Sequence, residues 1–196
     1  MKQLCIGVLA LQGDFAKHLA VLQSLGVEVK EVRRANDLRD CQGLIIPGGE
    51  STVIARQIDF IQMRDALLDF ANNKPVFGTC AGLILMSKEI QGSSLKPLNI
   101  LDVTVERNAF GRQVESFQRS IELYLNPLRP KLIEAFFIRA PRIRANGKDV
   151  RILAVYEQEP ILIQQGSHLG ATFHPELTDD PVIHLYFLSL CATKSS

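Results

Sequence analysis

Between residues 4 and 90, short and nearly unbroken apolar runs alternate with segments whose apolar residues recur at helical spacing, and nothing else in the chain restricts its fold as much. Residues 4–11 form the first run. Phe15, Leu19, Leu22 and Leu25 follow at intervals that place them on one face of a helix, with Asp14 in the N-cap position and Gly26 just past the end. Residues 27–32 alternate apolar and charged side chains as a strand does, and residues 43–46 form a buried run that ends at Pro47-Gly48-Gly49. Helical spacing returns over 61–70, another apolar strand covers 75–77, and a helix is predicted over 81–90. Strands apolar through most of their length have no face suited to water. Alternating with helices, they predict an α/β architecture with a mainly parallel sheet covered on both faces.

Beyond Gly92 the texture changes. Residues 101–107, 120–125, 133–138, 150–156, 161–165 and 169–173 read as strands with few helices between them, so this half is expected to be antiparallel in part. A last helix over 181–192 places Ile183, Phe187 and Leu190 on one face. With 196 residues, 46% of them hydrophobic, and no repeat or linker to divide them, residues 1–196 are expected to form a single domain around one sizeable core. The 22 Lys and Arg nearly cancel the 21 Asp and Glu, leaving no general field to attract nucleic acid or an anionic membrane. No run approaches the roughly 20 apolar residues of a membrane span, and residues 4–11 lack the length and cleavage pattern of a signal peptide. A soluble, reducing, cytoplasmic setting is expected. Cys5, Cys41, Cys80 and Cys191 lie far apart with no C-x-x-C pair, which argues against a zinc site or a dithiol redox motif; neither metal nor cofactor is expected.

Gly78-Thr79-Cys80-Ala81-Gly82 stands between a predicted strand and an apolar helix in the form G-x-C-x-G. This is the thiol counterpart of the elbow G-x-S-x-G, where a sharp strand-to-helix turn exposes a nucleophile and small neighbours let the backbone approach itself. A thiolate acting on an amide needs a base that later protonates the departing amine, and a third group to orient that base. Of the four histidines, His18, His168 and His184 are read as surface or packing residues, whereas His174 directly follows a strand and stands in His174-Pro175-Glu176. Extended backbone would project His174 and Glu176 to the same side. Pro47-Gly48-Gly49-Glu50-Ser51-Thr52, at the end of another strand, supplies glycines whose N–H groups can face a carboxamide or an oxyanion, with Ser51 expected to cap the next helix. Cys5 and Cys191, inside apolar elements, are read as packing residues.

Through these three motifs, in this order and separation, the chain resembles the class I, triad-type glutamine amidotransferases. Gly7-Val8-Leu9-Ala10-Leu11-Gln12-Gly13, the stretch from Val105 to Gln113, Phe137-Ile138-Arg139-Ala140-Pro141 and Phe173-His174-Pro175-Glu176-Leu177-Thr178 narrow the likeness to the glutaminase subunits of the two-protein pyridoxal 5′-phosphate synthases. The resemblance implies a three-layer, flavodoxin-like fold and hydrolysis of L-glutamine to L-glutamate and ammonia through a glutamyl thioester. It implies Cys80 as nucleophile with His174 and Glu176 completing a triad. Gly48, Gly49, Glu50 and Ser51 would contact glutamine or form the oxyanion hole, to which Ala81 adds a backbone N–H. Arg107, Ile138 and Arg139 would hold the substrate; two guanidiniums suit the α-carboxylate, which each can grip with paired charge-assisted bonds. The partner so implied is a synthase subunit that combines the ammonia with ribose 5-phosphate and glyceraldehyde 3-phosphate to make the vitamin B6 cofactor. The alternatives are the glutaminase subunit of another class I amidotransferase, such as the one serving histidine biosynthesis, a cysteine hydrolase or chaperone-like protein on a similar fold, and a regulatory module without catalysis.

Overall fold

Leu44, Ile45 and Ile46 are fully buried although their side chains alternate between two faces, so the strand they form must be covered on both. It lies at the centre of the parallel half of a sheet. The structure, a computed structural model, describes residues 4–107, 116–126 and 128–193; residues 108–113 of the motif beginning at Val105 lie outside them. In chain order the strands are β1 (Cys5–Leu9), β2 (Glu28–Val32), β3 (Gly43–Ile46), β4 (Val76–Thr79), β5 (Ser87–Gln91), β6 (Leu101–Glu106), β7 (Ser116–Leu123), β8 (Lys131–Ile138), β9 (Arg142–Asn146), β10 (Arg151–Tyr156), β11 (Glu159–Gln165) and β12 (His168–Ala171). The α-helices are α1 (Phe15–Ser24), α2 (Ser51–Phe60), α3 (Arg64–Asn73), α4 (Ala81–Met86) and α5 (Val182–Thr193).

Nine strands pair in the order β2-β1-β3-β4-β12-β11-β10-β7-β8. The pairings from β2 to β12 are parallel and those from β12 to β8 antiparallel, so the sheet is mixed. The parallel half has the flavodoxin-like order, whose direction of winding reverses between β1 and β3; ligands of such sheets sit at the carboxyl edge by that reversal. Along the central strands the side chains sort strictly by face. Ile6, Val8, Ile45 and Phe77 pack with Leu22 of α1 and Ile183 and Phe187 of α5. Cys5, Leu9, Leu44, Ile46 and Val76 pack on the other side with α2, α3, α4 and a small second sheet, β5-β6-β9. The result is three layers. Burial of each large apolar side chain such as Phe77 or Phe187 stabilises it by roughly 1.5–3 kcal/mol.

Three local expectations are corrected. The helix predicted over 61–70 begins only at Arg64, because α2 ends at Phe60 and Gln62 takes a left-handed φ of 55°. The helix predicted over 81–90 stops at Met86: the Ser87 hydroxyl bonds the Ile84 and Glu89 carbonyls, and Ser87–Gln91 leaves as strand β5 beside β6. Strand β9 was not anticipated. Among the described residues no helix is long and apolar enough to cross a membrane.

The antiparallel half does not splay away from the parallel one. Its last strand, β8, comes back to the end of β12, where the Phe136 carbonyl accepts from the His174 N–H at 2.9 Å.

Candidate active site

Four neighbouring strands, β1, β3, β4 and β12, each release one segment at the same edge of the sheet, and the site is built on those segments, with Arg107 after β6 and Ile138 and Arg139 at the end of β8 completing its wall. At the end of β4, Cys80 has φ 48° and ψ −103°, a region that costs a non-glycine residue on the order of 1–3 kcal/mol. Its N–H is anchored to the Ala171 carbonyl of β12 at 2.9 Å. The flanking glycines are steric requirements: a Cβ on Gly82 would meet the Ile46 carbonyl oxygen at 1.9 Å, and one on Gly78 the Gly82 carbonyl carbon at 2.6 Å. The elbow therefore needs glycine at 82 to fold against β3 and at 78 to fold against α4. Ala81 opens α4, where backbone N–H groups lack acceptors within the helix.

His174 follows the buried Phe173 at the end of the β12 segment. The chain then enters a 3₁₀ turn, Pro175–Leu177, and not an extended strand; this turn brings the Glu176 carboxylate back under the ring. Nδ1 of His174 donates to Glu176 Oε1 at 2.7 Å, and Asp14 Oδ2 lies 3.8 Å from the same nitrogen. Gly48 fits flat against the other side of the imidazole, where a Cβ would meet Cε1 at 2.4 Å. Burial disfavours charge on His174, but hydrogen bonding to Cys80 and to Glu176 outweighs it, and the imidazole pKa is pushed up to about 10. Glu176 is itself buried, which opposes its charge; His18 and His174 beside it nevertheless hold its carboxyl below the usual range. Thiol, imidazole and carboxylate thus stand in hydrogen-bond order with the imidazole disposed to carry a proton.

A cavity of about 260 Å³ opens on these groups. Of the residues nominated from sequence, Gly49, Glu50, Ser51, Cys80, Arg107, Ile138, Arg139 and His174 line it. Gly48 and Glu176 support the His174 ring from outside it, and Ala81 is buried behind Cys80. Arg107 donates to Glu50 Oε1 at 3.1 Å and Thr52 Oγ1 at 3.2 Å, which fixes the guanidinium at the cavity wall. The cap of α2 is not Ser51: the Glu50 carboxylate accepts from Thr52 and Val53 N–H, and Ser51 is the first helical residue. On the opposite wall the Ile138 carbonyl faces the Cys80 thiol at 3.8 Å, and Arg139 turns the chain with a left-handed φ of 43°. Gln12, Gly13, Asp14 and Ile84 also line the cavity. Asp14 does occupy the N-cap position of α1 but makes no side-chain cap; its carboxylate faces His174 instead.

His18 and His184, read from sequence as surface or packing residues, are both fully buried; His18 faces Glu176, and His184 bonds to His18 behind it. His168 is structural, accepting the Val76 N–H on Nδ1.

A strained cysteine elbow on a flavodoxin-like sheet, facing a His–Glu pair across a polar cavity, defines the class I glutamine amidotransferase type, and the comparisons agree. A solved structure described as a glutamine amidotransferase superposes with a TM-score of 0.90 at 44% identity, covering 95% of this chain and 98% of that one. The chain belongs to the SNO glutamine amidotransferase family, whose model matches residues 8–193. Proteins named pyridoxal 5′-phosphate synthase subunit PdxT are similar over nearly their whole length. The one from Thermotoga sp. strain RQ2 is 49% identical over 94% of this chain and 98% of its own, and that from Shouchella clausii 46% identical over 97% and 96%.

Proposed function

We propose that the chain hydrolyses L-glutamine to L-glutamate and ammonia at Cys80 and hands the ammonia to a synthase subunit that makes pyridoxal 5′-phosphate. The observation that carries the chemistry is that Cys80 and His174 meet at one cavity while Glu176 holds the far side of the His174 imidazole. The Cys80 sulfur attacks the carboxamide carbon with His174 as the base that takes its proton and passes it to the leaving nitrogen, so that ammonia departs and a glutamyl thioester remains. Water then attacks the thioester, giving its proton to His174, and glutamate leaves as the thiolate re-forms. Backbone N–H groups of Gly49 and Ala81 are the donors assigned to the oxyanion.

The relatives named as synthase subunits support the partner. So does the build of the oxyanion loop: the Gly48 carbonyl accepts from the Asp14 N–H at 3.0 Å, and Gln12 Oε1 accepts from the Glu50 N–H at 2.8 Å. The loop is thereby latched to the segment after β1, at the surface a partner can reach, and docking there acts on the Gly48–Gly49 peptide. The test is ammonia release by the purified chain across a titration of synthase subunit. A saturable rise from a low basal rate is expected; a rate high and flat from zero partner upward would refute partner activation, and no release at any ratio would refute the glutaminase reading.

Arg107→Ala is expected to raise KM for glutamine roughly tenfold with kcat little changed, since it removes one charge-assisted contact to the α-carboxylate. The Arg107–Glu50 pair is partly exposed, so its loss should barely alter the melting temperature. Steady-state kinetics in the complex decide: an unchanged KM moves the carboxylate site elsewhere.

A further inference from the structure

The reaction as written leaves two buried imidazoles without a task. His18, on α1, and His184, on α5, are both at 0% exposure, and the other buried residues described on those helices are Leu22, Ile183, Phe187 and Cys191. His18 Nδ1 lies 3.0 Å from His184 Nε2. His18 Nε2 lies 3.2 Å from Thr79 Oγ1, next in sequence to the nucleophile, and 3.3 Å from Glu176 Oε2. Glu176 Oε1 is taken by His174, whereas Oε2 has no well-aligned hydrogen-bond donor among the described residues, and the donor facing it is His18. A fully buried carboxylate oxygen in that position is costly unless a donor is turned toward it.

Which nitrogen of His18 carries the proton follows from the partners. If His184 donates from Nε2, His18 accepts on Nδ1 and must present Nε2–H, which Thr79 Oγ1 and Glu176 Oε2 can share. The remaining nitrogen, His184 Nδ1, is then a bare lone pair, in keeping with its having no hydrogen-bond partner among the described residues. The opposite assignment would bury an N–H on His184 Nδ1 with no acceptor and turn the lone pair of His18 Nε2 against a carboxylate. Only the first assignment satisfies the chain of groups. Burial pushes both imidazoles toward the neutral form, in keeping with one proton on each.

We propose that His18 is a positioning residue: its Nε2–H, kept on that nitrogen by His184, holds the second oxygen of Glu176 and so fixes the carboxylate rotamer that orients His174. The inference rests on the triad reading above. The charged and titratable groups around the pair are Cys80 from the β4–α4 elbow, Asp14 from the β1–α1 turn, Glu176 from the 3₁₀ turn, His18 from α1 and, behind it, His184 from α5.

The experiment compares the parent with His18→Leu, His18→Gln and His184→Phe in the full chain. Iodoacetamide alkylation of Cys80 is followed against pH, with the labelled peptide identified by mass spectrometry, and glutamine hydrolysis is measured in the complex with the synthase subunit. The alkaline limb of Cys80 alkylation reports the proton on His174 without requiring glutamine. His18→Leu should move that limb to lower pH and cut kcat roughly ten- to hundredfold at unchanged KM. His18→Gln, whose amide N–H can occupy the place of Nε2, should keep the parent's limb. His184→Phe should shift the limb as leucine does, because His18 loses what fixes its tautomer. A folded His18→Leu protein with the parent's limb and kcat would overturn the proposal, as would a glutamine variant no better than leucine. If melting curves show the leucine variant unfolded, His184→Phe decides: a parent-like limb there overturns the proposal. A parent without pH-dependent alkylation of Cys80 would instead remove the triad reading, and this inference with it.

Discussion

Cys80→Ala should abolish ammonia release while leaving the protein folded. With no nucleophilic sulfur the thioester cannot form, and the residual rate is that of water in an oriented cavity, so a loss on the order of 10⁴-fold or more is expected in kcat. The variant should stay folded because alanine fills the same turn: the flanking glycines still allow the close approach to Ile46, and the Cys80 N–H bond to Ala171 involves backbone alone. Alanine also inherits the strained φ of 48°, so the fold and binding of the synthase subunit should persist, with the melting temperature lowered only by the part of the His174 charge that Cys80 supports. Ammonia release and calorimetry on the same preparations make the comparison. A variant that retains substantial turnover would show that another group attacks glutamine.

His174→Ala should lose nearly as much activity, since both thiolate formation and protonation of the leaving amine pass through this ring. It should also change how stability responds to pH, with a sign that can be worked out. The His174 pKa is raised from 6.5 to about 10 in the folded chain, where Cys80 and Glu176 favour the charged form against burial. A raised pKa stabilises the fold fully below pH 6.5, and the contribution is lost as pH climbs through about 10. The stability difference between parent and His174→Ala should therefore shrink steadily across that window. Melting temperatures of the two proteins measured from pH 6 upward check it; a constant or widening gap would show that the native imidazole is not held in its charged form.

The parts of the site that could be read from sequence are those where local stereochemistry demands a particular residue. Gly82 follows Cys80 because nothing larger lets the elbow touch β3, Gly78 precedes it because a side chain would strike α4, and Gly48 precedes Gly49 because any side chain would strike His174. Such requirements leave a local signature. Apolar periodicity likewise marked β1, β3 and β4, whose burial on both faces suppresses polar residues. What stayed hidden depends on distant partners. Strand β9 is mostly exposed, with Ile143 its one large apolar residue, so nothing in Arg142–Asn146 distinguishes it from a loop. Spacing carried straight through the break at Gln62 because apolar residues flank the turn as they flank the helices. The apolar stripe of α1 runs through Phe15, Leu19, Leu22 and Leu25 and leaves His18 off it, whereas the fully buried residues are His18 and Leu22, four apart, and a polar side chain is accommodated there by Thr79 and by Glu176 and His184 from the far end of the chain.

The return of β8 to the end of β12 divides the site between two halves of the sheet. Cys80, His174 and the glycine loop stand on segments that leave buried parallel strands, whereas Ile138 and Arg139 arrive on the last strand of the antiparallel half and face them across the cavity. Reactivity and selectivity thus have separate structural addresses. Over evolutionary time, side-chain substitutions at Ile138 and Arg139 can reshape what the cavity admits while the backbone bonds that tie β8 to His174 stay in place, and a lineage of this fold can inherit one reaction while exploring many substrates.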